Sequence, residues 1–330
     1  MADCPVNQQE VARLQESEPY SPALAIVVPS YNEEKVLPET TRCLNLLLDE
    51  LLTSQKISEG QLYFIDDGSD DGTWNLIEEY AGINKRIHGI KLSRNFGHQR
   101  ALLAGLLNVP GDVVISIDAD LQDDPSVMKE MLAAYAAGSE IVYGVRRGRQ
   151  SDTAFKRVSA ETYYSLLRAI GVRLVFNHAD YRLLSRRVID ALRSYRETNL
   201  FLRGLIPELG FNSALVYYDR ERRFAGKSKY SLSRMLVLAV EGITSFSDIP
   251  LKIITLLGLL ISLSSFGIAA WALWVKIYNP SAVPGWASIV IPLYMLGGVQ
   301  LLCMGVIGQY LAKIYLETKA RPRFIIEKIV

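Results

Sequence analysis

Apolar and polar positions divide the chain into two regimes. In the first, short β-rich runs alternate with helical stripes. Leu24–Val28, Leu62–Ile65, Ile87–Leu92, Val113–Ile117 and Ile141–Val145 are brief, apolar and rich in branched side chains, which predicts strands. Between them, Glu34–Leu52 sets Leu44, Leu47, Leu48 and Leu51 on one stripe, as a helix would. Gly72–Tyr80 and His98–Asn108 also read as helices, and Pro125 opens another, since proline suits the first helical position. Strand and helix in alternation imply an α/β fold whose mostly parallel sheet is covered on both faces. Such sheets bind ligands beyond the carboxyl ends of their strands. Residues 146 to 225 are less regular and rich in Arg and Tyr.

The second regime begins at Leu232. Leu232, Met235, Leu236, Ala239, Val240, Ile243 and Phe246 recur at helical spacing, which predicts an amphipathic helix lying on a bilayer surface. Beyond it, Ile253 to Val275 carries no charge, and neither does Ile277 to Ala312. Uncharged apolar runs of about 18 residues or more can cross about 30 Å of hydrocarbon, so two spans are expected. Their short connector is uncharged, whereas Lys252, Lys313, Lys319, Arg321, Arg323 and Lys328 flank the other side. Positive-inside bias therefore puts the large N-terminal domain in the cytosol of a multi-pass inner-membrane protein. The expected division is a polar leader (1–22), an α/β domain (23–230), an amphipathic juxtamembrane helix (231–250), a transmembrane helix (251–276), an extracytoplasmic loop (277–285), a second transmembrane helix (286–312) and a basic cytoplasmic tail (313–330).

A formal net charge of +1 over 330 residues argues against nucleic acid as a partner. Cys4, Cys43 and Cys303 have no paired spacing, so neither a disulfide framework nor a zinc site is expected. The first residues lack an apolar core of the kind a signal peptide needs.

Candidate chemistry gathers where strands are predicted to end. Pro29-Ser30-Tyr31-Asn32-Glu33-Glu34, Asp66-Asp67-Gly68-Ser69 and Asp118-Ala119-Asp120-Leu121-Gln122-Asp123 would all emerge on one edge of a parallel sheet. Carboxylates so grouped repel unless a cation joins them. Hard oxygen ligands suit Mg²⁺ or Mn²⁺ better than zinc. Asp118 and Asp120 are the expected metal ligands, with Gln122 as a third candidate. Histidine at a loop-to-helix entry is more often structural, and His98 is assigned no catalytic role.

The strings VVPSYNEE, FIDDGSDDGT, LSRNFGHQRALLAG and SIDADLQDDP resemble glycosyltransferase family 2. Later segments, DYRLLSRR, RFAGKSKYS, EGITSFSDIPLK and GVIGQYLAKIYLETKARPRF, narrow the likeness to the polyprenyl-phosphate glycosyltransferases with two C-terminal spans, the group of the bactoprenol glucosyltransferases and dolichol-phosphate mannose synthases. The resemblance runs from Leu24 to Ile326. It implies a GT-A type nucleotide-diphosphosugar transferase domain. Pro29, Tyr31, Glu33 and Ile65 would line the nucleotide pocket, and Asp66 and Asp67 would contact base or ribose. Asp118, Ala119 and Asp120 would hold metal and donor diphosphate. Arg146, Arg223 and Lys229 would face phosphate, and Arg146, Arg147 and Arg157 would meet the lipid phosphate. Asp180 matches the family aspartate placed near the sugar carbon and proposed as a base. The acceptor phosphate is already ionised at neutral pH, with a second pKa near 6, so orienting Arg182 or stabilising charge on the sugar ring is the other reading of Asp180. A homo-oligomer, a tetramer, is also implied.

The reaction so implied is inverting, metal-dependent transfer of a sugar from a nucleotide-sugar donor to polyprenyl (undecaprenyl) phosphate at the cytoplasmic membrane, with UDP-glucose as the first donor to test. GDP-mannose, UDP-GlcNAc and a UDP-aminoarabinose derivative remain alternatives. A polysaccharide-extending synthase would carry more spans and a Gln-x-x-Arg-Trp segment, and neither is present. An inactive membrane scaffold would have no reason to keep Asp67, Asp118 and Asp120.

Overall fold

Each predicted strand of the first regime forms, and the sheet they build carries further strands that the apolar pattern did not announce. The computed structural model describes residues 21–147, 178–197, 202–219, 249–278 and 286–330. The chain begins with β1 (Ala23–Ser30), α1 (Leu37–Thr53), β2 (Glu59–Asp66), α2 (Thr73–Ile83), β3 (Ile87–Leu92), α3 (His98–Asn108) and β4 (Val113–Ser116). A 3-10 turn at Pro125–Val127 then leads into α4 (Met128–Ala136) and β5 (Ile141–Arg146). After β5 come β6 (His178–Ser185), α5 (Arg186–Arg193), α6 (Leu202–Glu208) and β7 (Ser213–Tyr218). Two long helices, α7 (Ile249–Tyr278) and α8 (Trp286–Thr318), precede the last strand, β8 (Ile326–Ile329).

These strands make one 8-stranded sheet in the order β7-β5-β6-β4-β1-β2-β3-β8. Neighbours β1, β2, β3 and β4 are parallel, as are β5 and β7. Strand β6 runs antiparallel between β4 and β5, and β8 runs antiparallel along β3. Because β6 is reversed, its N-terminal end lies at the same sheet edge as the carboxyl ends of β1, β2, β4 and β5. The register puts Ser116 opposite Arg182, so two residues further on Asp118 comes level with Asp180.

Both faces are covered, as a largely parallel sheet requires. On one face Leu44, Leu48 and Leu51 of α1, Trp74 and Ile77 of α2 and Met131 of α4 pack on Ile26, Phe64 and Ile115. On the other, Leu102 and Leu106 of α3, Val188 and Leu192 of α5 and Leu205 of α6 pack on Val27, Ile65 and Tyr143. Helix α3 sits unusually close: a Cβ at Gly105 would come within 2.4 Å of Val27 Cγ1 and 2.9 Å of Ile65 Cγ1. That close approach fixes the height of α3, and with it His98 and Gln99 at its first turn.

The C-terminal segment departs from expectation. In place of a basic tail from residue 313, α8 continues to Thr318, and the chain then returns to the sheet as β8. Val330 exchanges two backbone hydrogen bonds with Gly89, at 2.9 and 3.0 Å. Lys328 meets Glu78 at 2.5 Å and Glu327 meets Lys91 at 3.3 Å. Arg323 donates to the Tyr195 carbonyl at 2.6 Å. These lysine and arginine side chains dock the returning segment on the domain. The expected amphipathic helix lies almost wholly outside the described residues. Among those described, Val299–Thr318 is a helical stretch long and apolar enough to cross a membrane, and Leu251–Ile261 is a shorter apolar one.

Candidate active site

Three loops meet at the carboxyl edge of the sheet, and hydrogen bonds stitch them together. After β1, the chain turns at Asn32, whose φ is 56°. Asn32 Oδ1 accepts from the Asp70 amide at 2.9 Å, the Glu33 amide donates to Thr73 Oγ1 at 2.9 Å, and Glu34 accepts from the Gly72 amide at 3.1 Å. The first and second motifs are thereby one unit. Tyr31 stands exposed at its rim, while Pro29 is buried in β1.

The second motif is tied to the loop after β3. Asp67 takes the Phe96 amide on Oδ1 at 2.7 Å and the Gly97 amide on Oδ2 at 2.9 Å. Burial pushes its pKa up, and those two amides work against the rise. Asp66 is fully buried, its pKa likewise raised by desolvation, with Ser69 as hydrogen-bond donor. Gly68, at φ 67°, lets the loops touch: a Cβ there would sit 2.5 Å from the Arg94 carbonyl carbon and 2.7 Å from the Asn95 nitrogen. Gly68→Ala should therefore cost about 1–2 kcal/mol for the left-handed backbone and about 1–3 kcal/mol for overpacking. The check is thermal unfolding of the variant; an unchanged midpoint would show that the loops are not locked in this way.

The third motif follows β4. Thr40 Oγ1 donates to the Ala119 carbonyl at 2.7 Å and so pins the turn from α1. Leu121 adopts φ 52°, and the Gln122 amide donates to Asp120 Oδ1 at 3.2 Å. Asp118 keeps 35% of its side chain exposed and lies 3.6 Å from His98 Nε2. Its pKa is raised by burial and by the carboxylates of Asp180, Asp123 and Asp120, against the pull of His98. Among the described residues no group of three or more His, Cys, Asp or Glu is arranged to hold a metal unaided. A hard cation with only Asp118 and Asp120 as carboxylate ligands, completed by diphosphate oxygens and water, is the coordination Mg²⁺ favours. The repulsion that raises the Asp118 pKa is what such an ion would relieve.

Opposite Asp118, the reversed strand presents Asp180. Ser116 Oγ donates to its carbonyl at 2.5 Å and anchors the strand end. Its carboxylate receives Arg182 Nη2 and, at 3.2 Å, Arg203 Nε on Oδ1. Oδ2 receives Arg203 Nη2 at 3.0 Å and Gln99 Nε2 at 3.2 Å, with His98 Nε2 at 3.3 Å. Burial works to raise the Asp180 pKa, but Arg182, His98 and Arg203 overcome it and hold it well below the ordinary carboxylate range. A carboxylate has about four lone-pair sites, and these donors fill them. The arrangement favours an anchor that stays ionised at neutral pH over a proton acceptor.

Arg146, at the end of β5, is gripped by Asp123, with Nη2 at 2.8 Å and Nε at 3.0 Å from Oδ1, and Tyr218 donates to the same oxygen at 2.6 Å. A phosphate reaching Arg146 would share it with Asp123. Arg147 beside it is exposed. Ile65 belongs to the core beneath α3, so only its backbone can meet a nucleotide. Gln122 meets Asp120 through its backbone. Arg157, Arg223 and Lys229 lie outside the described residues. His98, Gln99, Arg203 and Asp123 carry site contacts that residue types alone did not reveal. Their common signal is position: each follows, or packs against, a strand end at the edge that bears Asp67 and Asp118.

Comparison with known proteins shows the family of the chain. The family model for glycosyl transferase family 2 matches residues 25–193. An uncharacterised glycosyltransferase of Bacillus subtilis (strain 168), YkoT, is 47% identical over 93% of this chain and 91% of its own length. The bactoprenol glucosyl transferase of Shigella phage SfX is 38% identical over 92% of this chain and 98% of its own. The prophage bactoprenol glucosyl transferase homolog of Escherichia coli (strain K12) is 36% identical over 93% and 99%, respectively.

Proposed function

Because the chain belongs to glycosyl transferase family 2, with the GT-A-like α/β fold of such enzymes, we propose that it transfers glucose from UDP-glucose to polyprenyl phosphate at the cytoplasmic face of a membrane. The observation that carries this reading is the bridge of His98 between Asp118 and Asp180 at the edge where the β1, β2 and β4 loops converge. Likeness to bactoprenol glucosyl transferases over nearly the full length supports the donor and the acceptor.

Each group then has work to do. The stitched loops after β1 and β2 form the nucleoside side, with Tyr31 offering an exposed ring and Glu33 a polar contact, while the buried Asp66 and Asp67 hold the loop in shape through Ser69, Phe96 and Gly97. Asp118 and Asp120 would hold Mg²⁺ or Mn²⁺, which when bound offsets the negative charge of the departing nucleoside diphosphate. Arg146, Arg147 and Arg157, with Arg223 and Lys229, would supply cationic contacts to phosphate oxygens. The acceptor phosphate needs no strong base, and no covalent nucleophile is required for a single backside displacement.

The acceptor cannot leave the bilayer, so the active site must come to it. Helices α7 and α8 present exposed leucines such as Leu256, Leu259, Leu293 and Leu301, which suits contact with lipid. Anchoring the domain beside the bilayer raises the effective concentration of the acceptor head group.

The test offers the detergent-purified full chain UDP-glucose, GDP-mannose, UDP-GlcNAc and a UDP-aminoarabinose derivative, each with undecaprenyl phosphate. A glucosylated lipid should form, stop with chelator and resume with Mn²⁺ or Mg²⁺. A product from another donor would correct the sugar. Absence of any lipid-linked product would overturn the reading.

A further inference from the structure

Asp180 is gripped by two arginines of different situation. Arg182 is fully buried, and its Nε and Nη1 have no hydrogen-bond partner among the described residues. Arg203 keeps 39% of its side chain exposed and binds Asp180 edge-on through Nε and Nη2. A planar guanidinium held by that edge turns its Nη1 side away from the carboxylate.

The placement of Arg203 is built with care. It stands at the start of α6, where the Leu202 amide donates to Gln99 Oε1 at 3.2 Å. The same Gln99 side chain donates from Nε2 to Asp180 at 3.2 Å. Gln99 thus clips the start of α6 to the carboxylate that holds Arg203. His98, one residue earlier on α3, links that carboxylate to Asp118 through contacts of 3.3 and 3.6 Å. Arg203 is therefore joined to the reacting edge by a chain of side chains each in direct contact. With Nε and Nη2 on Asp180, it is the Nη1–Nη2 edge of the guanidinium that suits phosphate oxygens better than an ammonium would.

We propose that Arg203 is a phosphate-contacting residue of the reaction centre, and that Asp180 and Gln99 are the positioning residues that present it. The inference rests on the glycosyltransferase reading above and deepens it. The ligand chemistry is a phosphate ester, supplied either by the acceptor lipid or by the donor diphosphate.

The experiment uses the full chain in detergent. Direct binding of undecaprenyl phosphate, of undecaprenol and of UDP-glucose is measured for the parent protein, Arg203→Gln and Arg203→Lys, alongside steady-state kinetics in both substrates. Arg203→Gln should weaken one phosphate ligand at least tenfold and leave undecaprenol binding unchanged, and lysine should restore only part of the loss. A rise in KM for undecaprenyl phosphate assigns Arg203 to the acceptor; a rise for UDP-glucose assigns it to the donor. If the parent enzyme transfers sugar while Arg203→Gln, folded as judged by its melting temperature, binds and turns over both substrates as the parent does, this inference fails and the glycosyltransferase reading stands. If Arg203→Gln loses phosphate affinity although no sugar is transferred by the parent, the reverse holds. Should Arg203→Gln prove unfolded, Arg203→Lys decides: binding and kinetics equal to the parent in both substrates would overturn the inference.

Discussion

Asp118→Ala and Asp120→Ala should each lower sugar transfer at least about 100-fold, and Asp118→Ala should leave the melting temperature unchanged or raised. The loss in rate follows from removing a group that meets charge developing on the leaving diphosphate; loss of one such stabilising group is worth about 10²–10³ in rate. The stability half of the expectation has a separate cause. Asp118 is pushed up in pKa by burial and by Asp180, Asp123 and Asp120, so its ionised form is disfavoured by the fold. A neutral residue removes that repulsion, and a site kept for function at the expense of stability behaves in this way. Turnover assays paired with thermal unfolding on the same preparations check both halves. Full activity of either variant in excess chelator would remove the metal from the scheme.

Asp180→Asn should destabilise the protein by about 3–5 kcal/mol, the usual result of leaving one partner of a buried ion pair without its counter-charge. The partner left behind is Arg182, which is fully buried. The pH dependence follows from the sign of the Asp180 shift. Its folded-state pKa is held well below the ordinary carboxylate range, chiefly by Arg182, His98 and Arg203 against the effect of burial. A depressed carboxylate contributes stability that is present above its unfolded pKa and is lost as pH falls through the folded one. The parent protein should thus hold this contribution across neutral pH and shed it only below about pH 4. Denaturant titrations of parent and variant at several pH values would show the gap between them closing in acid. The same shift bears on catalysis. If Asp180 is an anchor, the Asn variant is slower by the same factor at every pH above about 5; recovery of rate at high pH would restore the general-base role.

Strands β1 to β5 and helix α3 were legible because each buries an apolar face at a clean period, and Ile87–Leu92 and His98–Asn108 fall where the pattern placed them. Strand β6 was not, for a physical reason. Asp180 and Arg182 occupy successive positions on one face of it, a place where apolar residues usually stand, and they are buried by neutralising each other. A polar pair in the core leaves no period-two signal. β8 was hidden in a related way: Glu327 and Lys328 look like part of a solvated basic tail, yet they meet Lys91 and Glu78 across neighbouring elements. The carboxylates of the site were visible as residue types. That Asp180 faces Asp118 depends on the reversal of β6, and strand direction is not written in residue composition. Histidine 98 illustrates the same limit, since its role comes from the two carboxylates that flank it in space.

The return of the chain to β3 has a topological consequence. Helices α7 and α8 leave from a domain and the residues after them rejoin that same domain's sheet, closing the polypeptide into a loop. A strand hydrogen-bonded to Gly89 cannot stand across a bilayer from it. If the intervening helices cross a membrane, they do so an even number of times, and both ends of the excursion face one compartment. A reporter fused after Val330 would therefore share the compartment of a reporter placed before Ala23.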